Sequence, residues 1–325
     1  MRVCVIGGAG FIGSHTVKRL TDEGCKVLVL DSFTQYCKEP VITPQHHYNV
    51  NYRHKHLLND STVMRCSTLN KGDLRRKLYG FKPHIVLTFA SLPIVGLSKQ
   101  QSEEAFCSIV SGTVNILEIL RDMKCHCRLV YVSSSMVYGN FIVDPQSESV
   151  PCYPRNVYGG MKLAGENIIR SYHWEYDIPF TIIRPSCVYG PTDNNHRIVQ
   201  NFLEAAISKS AANVDDELKV MDFSYVSDVA KGIALACLSK AADGGTFNIT
   251  CGHGRTIRDL ICIIRSHCKD FAVTKSKMAD TSPKRCALDV SMAKSTFGYS
   301  PKYNLEMGVA EYLMFLKKAM SWSDR

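Results

Sequence analysis

The sequence has no apolar run near the ~18 residues needed to cross a bilayer as a helix, which argues against a membrane-spanning protein. It has no arginine- or lysine-rich block of the kind that grips nucleic acid. Its formal net charge is nevertheless +9, a surplus that suits a polyanionic ligand or solubility alone. It has no internal repeat and no low-complexity segment. No leader is expected, because a strand-like run starts at Val3, almost at the initiator Met. A metal site is not expected either: Cys125-His126-Cys127, even taken with His84, lacks the second pair of a structural zinc site. Fourteen cysteines are many. Cys4 falls in a predicted core strand and Cys107, Cys237 and Cys262 in helical patterns, where thiols act as small buried hydrophobes. The expectation is free thiols in a reducing, cytoplasmic compartment.

What is present is ordinary for a globular chain, with 45% hydrophobic and 21% charged residues. A length of 325 residues allows one large domain or two coupled ones. The informative stretch is Arg2–Gly13. Val3–Ile6 is a short, β-branched apolar run, followed by Gly7, Gly10 and Gly13 and then helical character over Ser14–Glu23. Glycines between a strand and a helix let a diphosphate approach the backbone at the positive end of the helix. A second apolar run, Lys26–Leu30, ends in Asp31, where a carboxylate accepts from a ribose 2′-OH and repels a 2′-phosphate. The motif therefore predicts NAD as cofactor rather than NADP.

Further strands are predicted at Thr62–Cys66, Pro83–Ala90, Cys127–Ser133 and Phe180–Arg184, and helices at Gly72–Tyr79, Glu103–Arg121 and Asn156–Tyr176. This alternation predicts an α/β fold: a Rossmann-type, doubly wound parallel sheet with ligands at the strands' carboxyl ends. A smaller, discontinuous C-terminal substrate domain follows. The expected division is 1–178 for the NAD-binding domain, with about 218–250 returning to it, and 179–325 mainly for the substrate. Ser32–Asp60 is an unusually long connection rich in histidine and tyrosine, with a short basic helix predicted at Tyr52–Leu58. It is readable as a solvated surface, a ligand lid or, least well, a metal site.

Tyr158 and Lys162 are four residues apart, hence on one helix face. An unperturbed phenol titrates near ~10, too high for a base at neutral pH. A lysine ammonium and an oxidised nicotinamide beside it both favour the phenolate. The Val130–Gly139 strand and its serines deliver a hydroxyl to the same sheet edge.

With these residues in place the chain resembles the extended short-chain dehydrogenase/reductases that epimerise or dehydrate nucleotide sugars, UDP-galactose 4-epimerase among them. The matching segments run from Gly7–Gly13 and Asp31 through Phe89-Ala90-Ser91, Gly112-Thr113, Ser133–Gly139, Tyr158/Lys162/Glu166, Arg184–Pro191 and Asp222–Val229 to Phe247–Ile249 and Leu288–Ser291. The resemblance implies an NAD-dependent epimerase working through a transient 4-keto sugar. Other reactions of the family, or a non-catalytic NAD-binding regulator, are the alternatives. It implies Ser134, Tyr158 and Lys162 as catalytic residues, with Ser135 the neighbour of Ser134 most easily confused with it. Cofactor contacts fall to Gly7, Gly10, Phe11, Ile12, Asp31, Ser32, Phe33, Ser67, Thr68, Phe89, Ala90, Ser91, Ser133, Tyr158, Lys162, Pro185 and Val188. Substrate contacts fall to Ser134, Ser135, Tyr158, Cys187, Lys219 and Arg285. It also implies a homodimer through helices at about 97–121 and 156–176.

The chain departs from the family pattern at several positions. Ser67-Thr68 stands where Asp-Ile usually meets adenine, and Ile109 where an Asn precedes Gly-Thr. Cys187 and Met221 replace the Asn and Arg that commonly hold the substrate's diphosphate, leaving Lys219, Arg285 or the 46–56 stretch as candidate replacements. Ser135 and Met136 replace the Asp-Glu pair of 4,6-dehydratases, so elimination of water is not expected.

Overall fold

The computed structural model describes residues 1–34, 43–92, 95–124, 126–275 and 283–322. Six strands come first: β1 (Arg2–Ile6), β2 (Lys26–Asp31), β3 (Thr62–Arg65), β4 (Ile85–Thr88), β5 (Arg128–Val132) and β6 (Phe180–Arg184). The short β7 (Val188–Tyr189), β8 (Ala211–Val214), β9 (Val220–Met221) and β10 (Ser224–Tyr225) follow, then β11 (Thr246–Asn248), β12 (Arg255–Thr256) and β13 (Ala272–Lys275). Seven of them form one sheet in the order β11-β6-β5-β4-β1-β2-β3, parallel throughout. The order reverses between β1 and β4, which opens a crevice at the carboxyl ends of those strands.

Alternation along the buried strands feeds two cores. Val3 and Val5 of β1 face a cluster that includes Val17 and Leu20 of α1 (Phe11–Asp22) and Val229 and Ile233 of a helix far along the chain. Cys4 and Ile6 face the other side, against Leu74 and Leu78, Ile116 and Leu120, and Ile169. The helices after α1 are α2 (Pro44–Tyr52), α3 (Lys71–Phe81), α4 (Val95–Gln100), α5 (Ser102–Phe106), α6 (Gly112–Met123), α7 (Val157–Tyr176), α8 (Ile198–Ile207) and α9 (Val226–Leu238); α9 supplies the first of those layers, and α3, α6 and α7 the second. Three more, α10 (Ile257–His267), α11 (Ser291–Phe297) and α12 (Leu305–Trp322), complete the chain. Residues of α8, α10 and α12 enclose a separate apolar core around Phe202, Leu260 and Leu313. The late returns to the sheet are visible: α9 packs on α1, and β11 pairs with β6.

Two elements differ from the sequence expectation. The long connection after β2 is helical from Pro44, eight residues before the predicted start. Thr43 caps it by accepting from the His46 amide, and proline occupies the first turn. It runs on into a π-helical turn, Arg53–Leu57. A second π turn, Cys107–Ser111, lies inside the predicted helix 103–121. Cys125, half of the Cys-His-Cys motif, lies outside the described residues, and among those described no cluster of three or more His, Cys, Asp or Glu is arranged to hold a metal. No described helix is long and apolar enough to cross a membrane.

Candidate active site

Every site residue named from the sequence lines one cleft of about 870 Å³ at the carboxyl end of the sheet. At one end lies the glycine turn. Gly7 has φ +73°, and a Cβ there would stand 3.2 Å from the Ala90 amide and the Phe89 side chain. A Cβ on Gly13 would come within 2.5 Å of the Gly7 carbonyl. Glycine is required at both, and it brings β1 and α1 close enough for the free amides of the first turn of α1 to face an anion. Asp31, at the end of β2, accepts from Ala9 N and Phe33 N, both at 2.9 Å. Its carboxylate keeps lone pairs for a ribose hydroxyl and stands where a 2′-phosphate would be repelled. Ser32 and Phe33 follow it, with Phe33 stacked on His54, and Ser67 and Thr68 flank the same end. Asn115 fixes the Thr68 carbonyl at 2.9 Å. A glycine cradle, a helix N-terminus and an acidic ribose acceptor in one cleft fit a dinucleotide.

The other end holds the candidate catalytic groups. Ser134 leaves β5 extended and caps a 3-10 turn, accepting from Met136 N at 3.2 Å. α7 starts behind Asn156, whose side chain accepts from Gly159 N at 2.8 Å, and so aims Tyr158 and Lys162 at the cleft. Burial raises the Tyr158 phenol, while Arg197 and the hydroxyls of Ser134 and Ser91 oppose the rise. Lys162 donates to the Val132 carbonyl at 2.8 Å and sits 5.1 Å from the Tyr131 ring centroid and 5.8 Å from that of Tyr158. Burial brings its ammonium down to about 7, against the pull of Glu166.

Glu166 itself is sealed. It accepts from Ser133 Oγ at 2.6 Å, from Arg184 at 3.0 and 2.6 Å, and from Arg170 at 3.2 Å. Burial pushes its carboxyl up, yet the Arg184 guanidinium outweighs this and holds it low. Beside Ser134, Arg285 donates to Ser186 Oγ (3.2 Å), Ser135 Oγ (3.4 Å) and Cys187 Sγ (3.5 Å), and its other nitrogen lies on the Met136 sulfur. Ser135 also donates to Ser186 at 3.1 Å. Cys187 adopts φ +39°, unusual for a residue with a Cβ.

Residues 3–250 match the NAD dependent epimerase/dehydratase family. The chain belongs to that family. Among its relatives is UDP-glucuronate 4-epimerase 6 of Arabidopsis thaliana, 26% identical over 96% of this chain and 71% of that protein. The UDP-glucose 4-epimerase of Mycolicibacterium smegmatis is 27% identical over 98% and 99%. Among solved structures, UDP-glucuronic acid 4-epimerase from Bacillus cereus with UDP-glucuronic acid and NAD superposes with a TM-score of 0.87 at 25% identity, covering 98% of this chain and 99% of that one. NAD is the cofactor of this epimerase-family enzyme. Replacing Asp31 with Ala is expected to weaken NAD by about 10-fold, the worth of one charge-assisted hydrogen bond, and to narrow the preference over NADP. Titrations of both dinucleotides check this, and tighter NADP binding by the native enzyme would refute it.

The cleft is also lined by Arg197 and Arg53, which were not singled out from the sequence. Arg197 forms a two-pronged pair with buried Asp193, both contacts at 3.0 Å, and its guanidinium carbon lies 5.7 Å from the Phe11 ring centroid. Arg53 was visible only as part of a basic stretch.

Proposed function

We propose that the enzyme is a 4-epimerase of nucleotide sugars whose preferred sugar carries a carboxylate at C6. Tyr158, aided by the Ser134 hydroxyl, removes the proton from the sugar's 4-hydroxyl. Lys162 holds the ribose of the cofactor and favours the phenolate. When bound, NAD supplies the acceptor for hydride from C4 and its donor on return. Nothing at 135 or 136 serves as a second base, since Ser135 and Met136 are neutral at any physiological pH. The oxidised sugar therefore turns over instead of losing water. Residues 179–325 mainly hold the nucleotide sugar.

The observation that carries the choice of sugar is Arg285. Among the described residues its partners are two hydroxyls, a thiol and a thioether, none of which neutralises it. A guanidinium with two hydroxyls beside the catalytic serine offers a carboxylate a fork and two further donors. UDP-glucuronic acid, the ligand named for the Bacillus cereus structure, is the substrate to try first. Incubation should invert C4 with no change of mass, and a product lighter by one water would refute the reading. Arg285→Leu should lower kcat/KM for the uronate by about 10- to 100-fold, from the loss of charge-assisted hydrogen bonds, and leave UDP-glucose nearly unaffected. Equal losses on both sugars would overturn the assigned role.

We also infer a homodimer built from the helices at 95–123 and 157–176. Phe106 and Trp174 on these helices are 50% and 83% exposed, apolar surface that a partner would cover. Light scattering at micromolar concentration should give twice the 36.3 kDa chain mass, and the single-chain mass would refute it.

A further inference from the structure

Within the basic stretch 46–56, His54, Lys55 and His56 stay exposed while Arg53 turns inward and is buried. Its two terminal nitrogens do different work: Nη1 donates to the Ala9 carbonyl at 3.2 Å and Nη2 to the Thr192 carbonyl. Ala9 belongs to the glycine turn and is held from its other side by Asp31, which accepts the Ala9 amide. Thr192 opens the loop that ends at Arg197. Arg53 therefore ties the cofactor end of the cleft to the loop beside the catalytic phenol.

That loop is held under strain. Thr192 has φ +71° and His196 φ +49°, left-handed values costly for residues with a Cβ and most so for β-branched threonine. Straps keep it in place. His15 of α1 bonds the Pro191 carbonyl at 3.0 Å. Asn49 of α2 reaches the Asp193 carbonyl at 3.3 Å. Asp193, fully buried, accepts from Asn195 N at 3.1 Å and grips Arg197. The loop's strained geometry is set by these straps, so whatever steadies a strap steadies the loop.

We propose that Arg53 is a positioning residue that couples the two halves of the cleft. Cofactor engaged at Asp31 and the glycine turn steadies Ala9. Arg53 passes that order to Thr192, and Arg197 is then set to receive the diphosphate of the nucleotide sugar in place of the absent Asn and Arg at 187 and 221. Binding of the two ligands is mutually reinforcing, since coupling between sites is reciprocal. This inference rests on the nucleotide-sugar reading above.

The test is NAD affinity of the full-length protein by equilibrium dialysis, with and without saturating UDP. UDP is expected to tighten NAD by about 5-fold or more, the lower range of such couplings. An NAD affinity indifferent to UDP, with UDP itself bound, overturns the proposal. A failure of the native protein to bind UDP at all overturns the nucleotide-sugar reading and this inference with it. In Arg53→Met the enhancement should vanish, and in Arg53→Lys, which reaches one carbonyl but not both, it should fall to an intermediate value. Variants that bind NAD with undiminished enhancement refute the role of Arg53. The native comparison stands on its own if the Met variant does not fold.

Discussion

Tyr158→Phe will lower kcat by about 10³-fold, within the range for losing a general acid–base group, and will leave both ligands bound. In the proposed mechanism the Tyr158 phenolate accepts the sugar's proton, and phenylalanine retains the ring contacts. Tyr158 packs beside Met161 and Ala164 against the Leu92–Val110 cluster, so folding is not at stake. Affinity for NAD should change little, because Lys162 and Asp31 remain. A variant that keeps more than about a tenth of native turnover would show that another group takes the proton. Measuring kcat beside the dissociation constants of NAD and UDP separates loss of chemistry from loss of binding.

Lys162→Met should abolish turnover to a comparable degree while leaving the fold as stable or more so. Burial depresses the Lys162 ammonium from 10.5 to about 7, against the pull of Glu166. Between about pH 7 and 10.5 the unfolded chain holds this proton and the folded one does not, so native stability rises with pH through that window. Below pH 7 both states hold it, and the full cost of burying the charge is present. Methionine removes that cost and leaves one carbonyl, Val132, without its donor, a smaller loss of about 1 kcal/mol. The variant's Tm should therefore equal or exceed the native value at pH 6, and the difference should shrink as pH rises toward 10. A lower Tm at pH 6 would mean that the hydrogen bond and the Tyr131 ring more than offset the burial.

Much of this molecule was legible because its signals are local. The sheet strands are short apolar runs, and the spacing from Gly7 to Gly13 and from Tyr158 to Lys162 is itself the geometry of a turn and of a helix face. The connection after β2 was not legible for a physical reason. Its helix α2, Pro44–Tyr52, is polar, and its partners are remote: Tyr48 and Tyr52 pack on Phe315, and Tyr48 also on Trp322. Arg53 follows buried Asn49 by four residues and so shares the inward face of α2, but that face carries polar side chains where the pattern is read from apolar ones. Arg197 escaped notice because it lies in a loop, where no period applies and where Asp193 and Phe11 define its surroundings. Cys187 and Met221 showed that familiar groups were missing, but only the folded chain shows which cations stand nearby.

The return of α9 and β11 to the first half of the chain has a consequence for biosynthesis. Once residues 1–184 have left the ribosome, one face of α1 and the β6 edge of the sheet await partners not yet made. Val17 and Leu20 stay uncovered until Val229 and Ile233 emerge, and β6 offers an open edge until Thr246–Asn248 arrives. At translation rates of about 5–20 residues per second that interval lasts several seconds. During it the nascent chain displays both an apolar face and an unpaired strand to its surroundings. A gene cut after residue 184 makes that passing condition permanent, so the glycine turn, although complete in sequence, would belong to a fragment inclined to aggregate.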